Sequence, residues 1–295
     1  MPPPDPASPR ATTRLRQRLA RREALVAPFV FDGLQARLAR AAGFEAVYMT
    51  GFGTAAAHGL PDVGLLGLAE MSANVRIVAR AAEVPAICDA DTGYGNAASV
   101  RHAVRAYEDA GAAALHLEDQ VWPKRCGFLA GKAVVPQEEM VAKVRAACAA
   151  RRDPDFVVIA RTDALAPLGW DEALRRAHAY REAGADLLFV DGVRSRADAE
   201  RYARALPDVP LVYNGPLLTG EEATQLGFRL VLHIESLIAV FARLRDVYQE
   251  LARTGHVAGV PGLEAVGDAA RLLGLDEIDA FAARFAAPAP EPAAR

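Results

Sequence analysis

The chain has 295 residues, 52% hydrophobic and 24% charged, a globular balance with enough apolar residues for a sizeable core. Its formal net charge of −3, without a basic stripe carrying interleaved aromatics, gives no electrostatic case for a nucleic-acid partner. No apolar run is long enough to span a bilayer, and the N-terminus MPPPDPASPR lacks the apolar stretch of a secretion signal. The cysteines Cys88, Cys126 and Cys148 have no CxxC spacing and fit a reducing compartment, so a cytoplasmic protein with no membrane partner is expected.

Residues 1–13, rich in Pro and small side chains, predict a disordered tail. The Arg-rich run from Arg14 to Arg22 is interrupted by Leu15 and Leu19, with Leu25 beyond, at roughly helical spacing, which predicts a solvated amphipathic helix. Eight strand-like runs follow: VAPFVF (26–31), AVYMT (46–50), PAICDAD (85–91), ALHLED (114–119), FVVIART (156–162), LLFVD (187–191), PLVYN (210–214) and RLVLH (229–233). Each precedes a helical candidate, over 34–42, 69–82, 97–110, 136–150, 170–183, 196–205, 220–226 and 236–253. In AAGF (41–44), DAGA (109–112) and EAGA (182–185) a glycine stands just past a last helical turn, where φ > 0 costs it nothing.

Eight βα units without hairpin signals predict an α/β fold, a (β/α)8 TIM-type barrel over 14–255. A helical extension at 256–286 and a disordered tail at 287–295 complete the chain. A doubly wound sheet is the alternative, but no GxGxxG follows the first strand.

The carboxyl ends of the strands carry residues that an apolar core would not choose. They are Tyr48 and Thr50, Asp89 and Asp91, His116 and Glu118, Arg161 and Asp163, Asp191, Asn214, then His233 and Glu235. In such a barrel these positions converge on one face. Asp89 and Asp91 alternate onto one side of their strand, with Glu118 on the next strand. Three crowded carboxylates repel one another unless a cation is present, and hard oxygen donors select Mg²⁺ or Mn²⁺ over Zn²⁺. Arg161 is suited to gripping a carboxylate or to a structural ion pair with Asp163 or Asp191. In the loop WPKRCGFLAGK (122–132), Lys124 and Arg125 beside Cys126 favour thiolate and a general acid/base role in a mobile lid.

The motifs DADTGYGN (89–96), HLEDQVWPKRCGF (116–128) and IARTDA (159–164) resemble the isocitrate lyase/phosphoenolpyruvate mutase superfamily. The KRCG loop is similar to its lyase branch, which includes 2-methylisocitrate lyase, and VYMTGFGTAAAHGLPDVGLL (47–66) resembles its second strand and gating loop. The resemblance runs over roughly residues 25–235, with the motifs in order. It implies a helix-swapped barrel assembling as a dimer of dimers, and Mg²⁺ held by Asp89, with Asp91 and Glu118 acting largely through water. It places Tyr48, Thr50, Gly51 and Asn214 on a small carboxylate substrate and Asp62 in the gating loop. His116, Gly127, Asp191 and His233 are further substrate contacts. Cys126 matches the cysteine that protonates the leaving carbanion, with Lys124, Arg161 and Glu118 as the other catalytic residues.

Three features depart from the lyase branch: Phe128 where it has His, Asp191 where it has Glu, and the short NGPLLTG (214–220) after the seventh strand. The short loop and His233 resemble oxaloacetate decarboxylase-type members. The expected activity is Mg²⁺-dependent carbon–carbon lysis of a 2-hydroxy or 2-oxo di- or tricarboxylate, of 2-methylisocitrate or 2-alkylmalate type, through an enolate-like intermediate. Decarboxylation or hydrolysis of oxaloacetate, a phosphonomutase reaction and a non-catalytic barrel are the alternatives.

Overall fold

Successive short runs rich in Val, Leu and Ala, too short for helices and buried on both faces, pair side by side in parallel. The computed structural model describes residues 9–286. Its elements begin with α1 (Ala11–Leu19), β1 (Leu25–Val30), α2 (Gly33–Ala41), β2 (Val47–Met49), α3 (Gly51–Ala57), α4 (Leu68–Ala82), β3 (Ala86–Asp89) and α5 (Ala97–Ala110). They continue with β4 (Ala114–Glu118), α6 (Gln137–Ala150), β5 (Val157–Thr162), α7 (Leu165–Leu168), α8 (Trp170–Glu182), β6 (Leu187–Val190) and α9 (Arg196–Ala205). Last come β7 (Leu211–Asn214), α10 (Gly220–Leu226), β8 (Phe228–His233), α11 (Glu235–Thr254), α12 (Glu264–Leu272) and α13 (Leu275–Ala283). The strands close a barrel in the order β1 to β8, with β8 pairing back onto β1. The expected (β/α)8 fold is therefore correct.

Alternation along each strand separates two cores. Leu25, Ala27, Phe29, Ile87, Val157, Ile159, Phe189, Val212, Leu230 and Leu232 fill the barrel, while Val47, Met49, Cys88, Leu115, Val158 and Leu188 pack under the helices. Gly43, Gly111 and Gly184 take φ of 91°, 96° and 108°, as their places after helices require.

Three local readings need correction. The first helix begins at Ala11, inside the stretch read as tail; residues 1–8 lie outside the described ones, as do 287–295. That helix is not merely solvated: Leu15 is fully buried in the barrel's inner cluster, and Arg16 reaches Asp186 at 2.9 Å. Helices α3 and α7 were not anticipated. The first is hidden in the glycine-rich TGFGTAAA, where Thr50 caps it by accepting from Gly53 N at 3.4 Å.

The chain divides into two compact units, Pro9–Arg245 and one beginning at Asp246 within α11. The first is the barrel. The second, over its described residues, holds the end of α11 with α12 and α13, and no residue of α12 or α13 is buried.

Candidate active site

Strand register sets the level at which each polar side chain enters the barrel mouth. Asp89 lies opposite His116 and Glu118 opposite Arg161. These residues share the inward parity of Ile87, Ala114 and Ile159, so the carboxyl end of the sheet turns a ring of polar groups toward the axis. A pocket opens there. Ten of the predicted site residues line it: Tyr48, Thr50, Asp62, Asp89, Lys124, Cys126, Gly127, Arg161, Asp191 and Asn214. Phe29, Phe52 and Phe128 complete the wall.

Behind this lining stand Gly51, Asp91, His116 and Glu118. Asp89 accepts from Gly51 N at 3.1 Å and from Asp91 N at 3.0 Å. A Cβ on Gly51 would fall 2.6 Å from Asp89 Oδ2, so only glycine lets the backbone come this near. His116 Nε2 lies 2.6 Å from the Tyr48 hydroxyl and 3.5 Å from Asp89 Oδ1. Burial lowers the His116 pKa to about 4, so the ring is neutral at pH 7. Asp91 sits just past its strand with φ of +47°, a left-handed conformation that a side chain rarely adopts. Its carboxylate pairs with Lys124 Nζ at 2.8 Å, and Lys124 also pairs with Asp62.

Arg161 is held rather than free. Its Nε and Nη2 donate to Asp163 at 2.8 Å each, and Nη2 lies 3.4 Å from Asp191. Nε is also 3.3 Å from Glu118 Oε2. Lys132, buried at the end of the 122–132 loop, bridges Asp163 at 2.8 Å and Asp191 at 2.7 Å. Sequence reasoning passed over Lys132, because a lysine in a polar loop normally reads as solvated. It also missed Gln120 and Asp119. Gln120 could have been flagged, since it stands two residues from Glu118 and so shares its face.

The loop itself dips alternate residues into the site: Lys124, Cys126 and Lys132 are buried, Arg125 and Phe128 exposed. Gly127 lies directly against the cluster, for a Cβ there would meet Arg161 Nη2 at 2.5 Å and Asp191 Oδ2 at 2.6 Å. The expectation of a thiolate at Cys126 is overturned. Burial pushes its pKa up to about 11, against the pull of Lys124 and Arg161, and the sulfur keeps its proton at neutral pH.

His233 is not brought to the pocket. It shares the parity of Val231, which packs under the helices, while Leu230 and Leu232 face inward; its ring pairs with Glu235 at 2.9 Å. Asn214 does reach the pocket, and its buried Oδ1 has no hydrogen-bond partner.

The fit of a divalent cation can be judged from the carboxylates. Asp91 Oδ1 is buried and meets the Lys124 ammonium at 2.8 Å. Desolvation raises the pKa of Asp91 to about 6 and that of Glu118 well above its ordinary value, against the pull of Lys124 on the first and Arg161 on the second. Among the described residues no three of His, Cys, Asp and Glu converge closely enough to hold an ion by themselves. Direct ligation by all three carboxylates is thus not what the geometry offers. It suits an ion such as Mg²⁺ that takes one or two carboxylates and keeps several waters.

Known proteins place the site in context. The pattern of the phosphoenolpyruvate phosphomutase family matches residues 15–252. The chain is 42% identical over 254 residues to 2,3-dimethylmalate lyase of Eubacterium barkeri, covering 84% of this chain and 88% of that one. It is 40% identical over 257 residues to a probable 2-methylisocitrate lyase of Corynebacterium glutamicum, covering 83% and 84%. Oxaloacetate acetylhydrolase in complex with 3,3-difluorooxalacetate is similar with a TM-score of 0.89 and 38% identity, covering 95% of this chain and 98% of that one. Phosphonopyruvate hydrolase in complex with oxalate and Mg²⁺ has a TM-score of 0.84 and 33% identity, covering 94% and 99%.

Proposed function

The chain belongs to the isocitrate lyase/phosphoenolpyruvate mutase superfamily and is an enzyme of it, a lyase, and from that premise we propose that it splits a carbon–carbon bond in an alkyl-substituted 2-hydroxy dicarboxylate. The observation that carries this reading is the meeting of Asp89, Lys124, protonated Cys126, Arg161 and Asn214 in one pocket. Asp89 would hold Mg²⁺ (or Mn²⁺), with Asp91 and Glu118 reaching it through water. The ion, when bound, would supply Lewis acidity to an enolate-like charge beside a carboxylate.

This chain's own groups do the rest. The Thr50 hydroxyl and the Asn214 amide orient a substrate carboxylate, with Gly51 holding Asp89 beside it, while Tyr48 with His116 fixes the oxygens next to it. Asp62 holds Lys124, and Asp191 and Gly127 shape the Arg161 side. As the bond breaks, the 2-hydroxyl becomes a carbonyl and its proton passes by way of Tyr48 to the neutral His116. The leaving carbon takes the bonding pair, and Cys126 Sγ gives that carbon a proton, the thiolate being reprotonated afterwards. A thiol that keeps its proton at neutral pH suits this donor role.

Two observations favour a dicarboxylate bearing alkyl groups over a tricarboxylate such as 2-methylisocitrate. Lys124 and Arg161 are already engaged by Asp62, Asp91, Asp163 and Asp191, which leaves little cationic charge for a third carboxylate. Phe29, Phe52 and Phe128 give the pocket an apolar wall. The similarity to 2,3-dimethylmalate lyase agrees with this choice.

A second reading, cleavage of oxaloacetate, is favoured by the short 214–220 loop and the likeness to oxaloacetate acetylhydrolase, but it loses the support expected from His233. A panel of 2-hydroxy and 2-oxo diacids assayed for pyruvate, glyoxylate, oxalate and CO₂ separates the two. Pyruvate release from 2,3-dimethylmalate is expected, abolished by EDTA, restored by Mg²⁺, and reduced about 100-fold or more in Cys126→Ala. Oxaloacetate turnover that survives Cys126→Ala, with no dialkylmalate cleaved, would replace the first reading with the second.

Assembly as a dimer of dimers belongs to the same proposal, supported by the apolar side chains that α11 to α13 leave exposed. So does a cytoplasmic location, supported by three unpaired cysteines and checked by cell fractionation. Among the described residues no helix is long and apolar enough to cross a membrane.

A further inference from the structure

We propose that Gln120 is a positioning residue whose single amide sets both Glu118 and the loop that carries Lys124 and Cys126. Gln120 is 1% exposed, and its amide uses both of its donors and one of the two acceptor sites of its oxygen. Its Nε2 donates to Glu118 Oε1 at 2.9 Å and to the Arg125 carbonyl at 2.8 Å, while its Oε1 accepts from Arg125 N at 3.0 Å. Only one orientation of the amide satisfies all three, since the reverse would set oxygen against a carboxylate and NH₂ against an N–H.

The two peptide groups it grips are the ones that matter. Arg125 N belongs to the peptide joining Lys124 to Arg125, and the Arg125 carbonyl to the peptide joining Arg125 to Cys126. Fixing both orients the side chains on either side, and both are buried in the site. The Arg125 side chain itself is exposed, so the contact recruits its backbone alone.

The stem of the loop is closed by a bridge between Gln120 and Val134 and by Val121 N donating to the Ala133 carbonyl at 2.8 Å. On the far side Cys126 N donates to the Asp62 carbonyl at 3.0 Å. Between stem and tip, the Gln120 side chain ties the loop to the β4 strand end that carries Glu118. A Glu at this position would lose both donors and face Glu118 with like charge; a Met would fill the space and make none of the bonds.

The test uses Gln120→Met and Gln120→Glu in the full chain. Steady-state kinetics is read beside iodoacetamide labelling of each cysteine, followed by peptide mass spectrometry. A loop loosened by about 1 Å should lower kcat by about 10- to 100-fold, with KM changed by less than about threefold. Labelling of Cys126 should rise by about tenfold as the loop opens more often, and Cys148, on α6, should label at the wild-type rate. The kinetic arm rests on the proposed lyase reaction; the labelling arm does not, so it reports on Gln120 whatever the substrate proves to be. Wild-type labelling of Cys126 in both variants would overturn the proposal. So would an equal rise at Cys148, or failure of both variants to fold, since either makes Gln120 a general structural residue.

Discussion

At Cys126 influences oppose one another: loss of water and the Asp62 charge hold the proton on the thiol, while the Phe128 backbone and the charges of Lys124 and Arg161 draw it toward thiolate. Burial is the largest, and the pKa rises to about 11. The adjacent Lys124 and Arg125 suggested the opposite because sequence shows neighbours and not desolvation, and Arg125 turns its side chain out to solvent. Modification of Cys126 by iodoacetamide should therefore be slow at pH 7 and climb by about tenfold per pH unit up to pH 10 without levelling. A plateau below pH 9 would mean an activated thiolate and would reverse the role assigned to this residue. His233 was misread for a different reason. A residue at a strand end enters the barrel only when its parity is inward, and the parity of β8 is decided by its register with β1. Asp89, Glu118, Arg161 and Asn214 were legible because alternation from the apolar run beside them already gave that parity, whereas Asp91 lies past the end of β3 with φ of +47°, where alternation no longer applies.

Among the elements, the ends of β4 and β5 are locked to α8 through Asp119. Its carboxylate accepts from Thr162 Oγ1 at 2.7 Å, Asp163 N at 2.8 Å, Tyr180 OH at 2.8 Å and Arg176 Nη1 at 3.0 Å. Asp119 is fully buried, so its removal strands several donors in the interior, with Arg176 retaining Glu172 at 2.7 Å. Asp119→Ala should cost about 3 kcal/mol of stability in urea denaturation, well beyond a surface substitution. A loss below about 1 kcal/mol would show that water replaces the carboxylate without strain. The eight strands and their main helices were legible because length and apolar pattern agree at each. Helix α3 was not, since glycines in TGFGTAAA read as loop and the cap at Thr50 outweighs their low propensity. Helix α7, a single turn of LAPL, is too short to show any period.

For the whole molecule, the second unit poses a question of burial. Its described part contains α12 and α13 with no buried residue, and Leu263, Val266, Ile278 and Phe281 are 88%, 65%, 61% and 62% exposed. A segment of this size cannot build a core of its own, and apolar surface on this scale is normally covered by a partner. The barrel pattern of the sequence could not disclose this, because an amphipathic helix reads the same whether its apolar side meets its own chain or another. In the proposed assembly a second copy would cover this surface under two-fold symmetry, and a separate two-fold contact elsewhere would complete the dimer of dimers. Light scattering should therefore return four times the chain mass of 31.4 kDa at micromolar concentration. Ile278→Asp with Phe281→Asp, which sets charge where apolar contact is needed, should shift the mass toward smaller species while the barrel still melts cooperatively. A wild-type mass of one chain would reject the assembly and require these helices to be covered by some other surface.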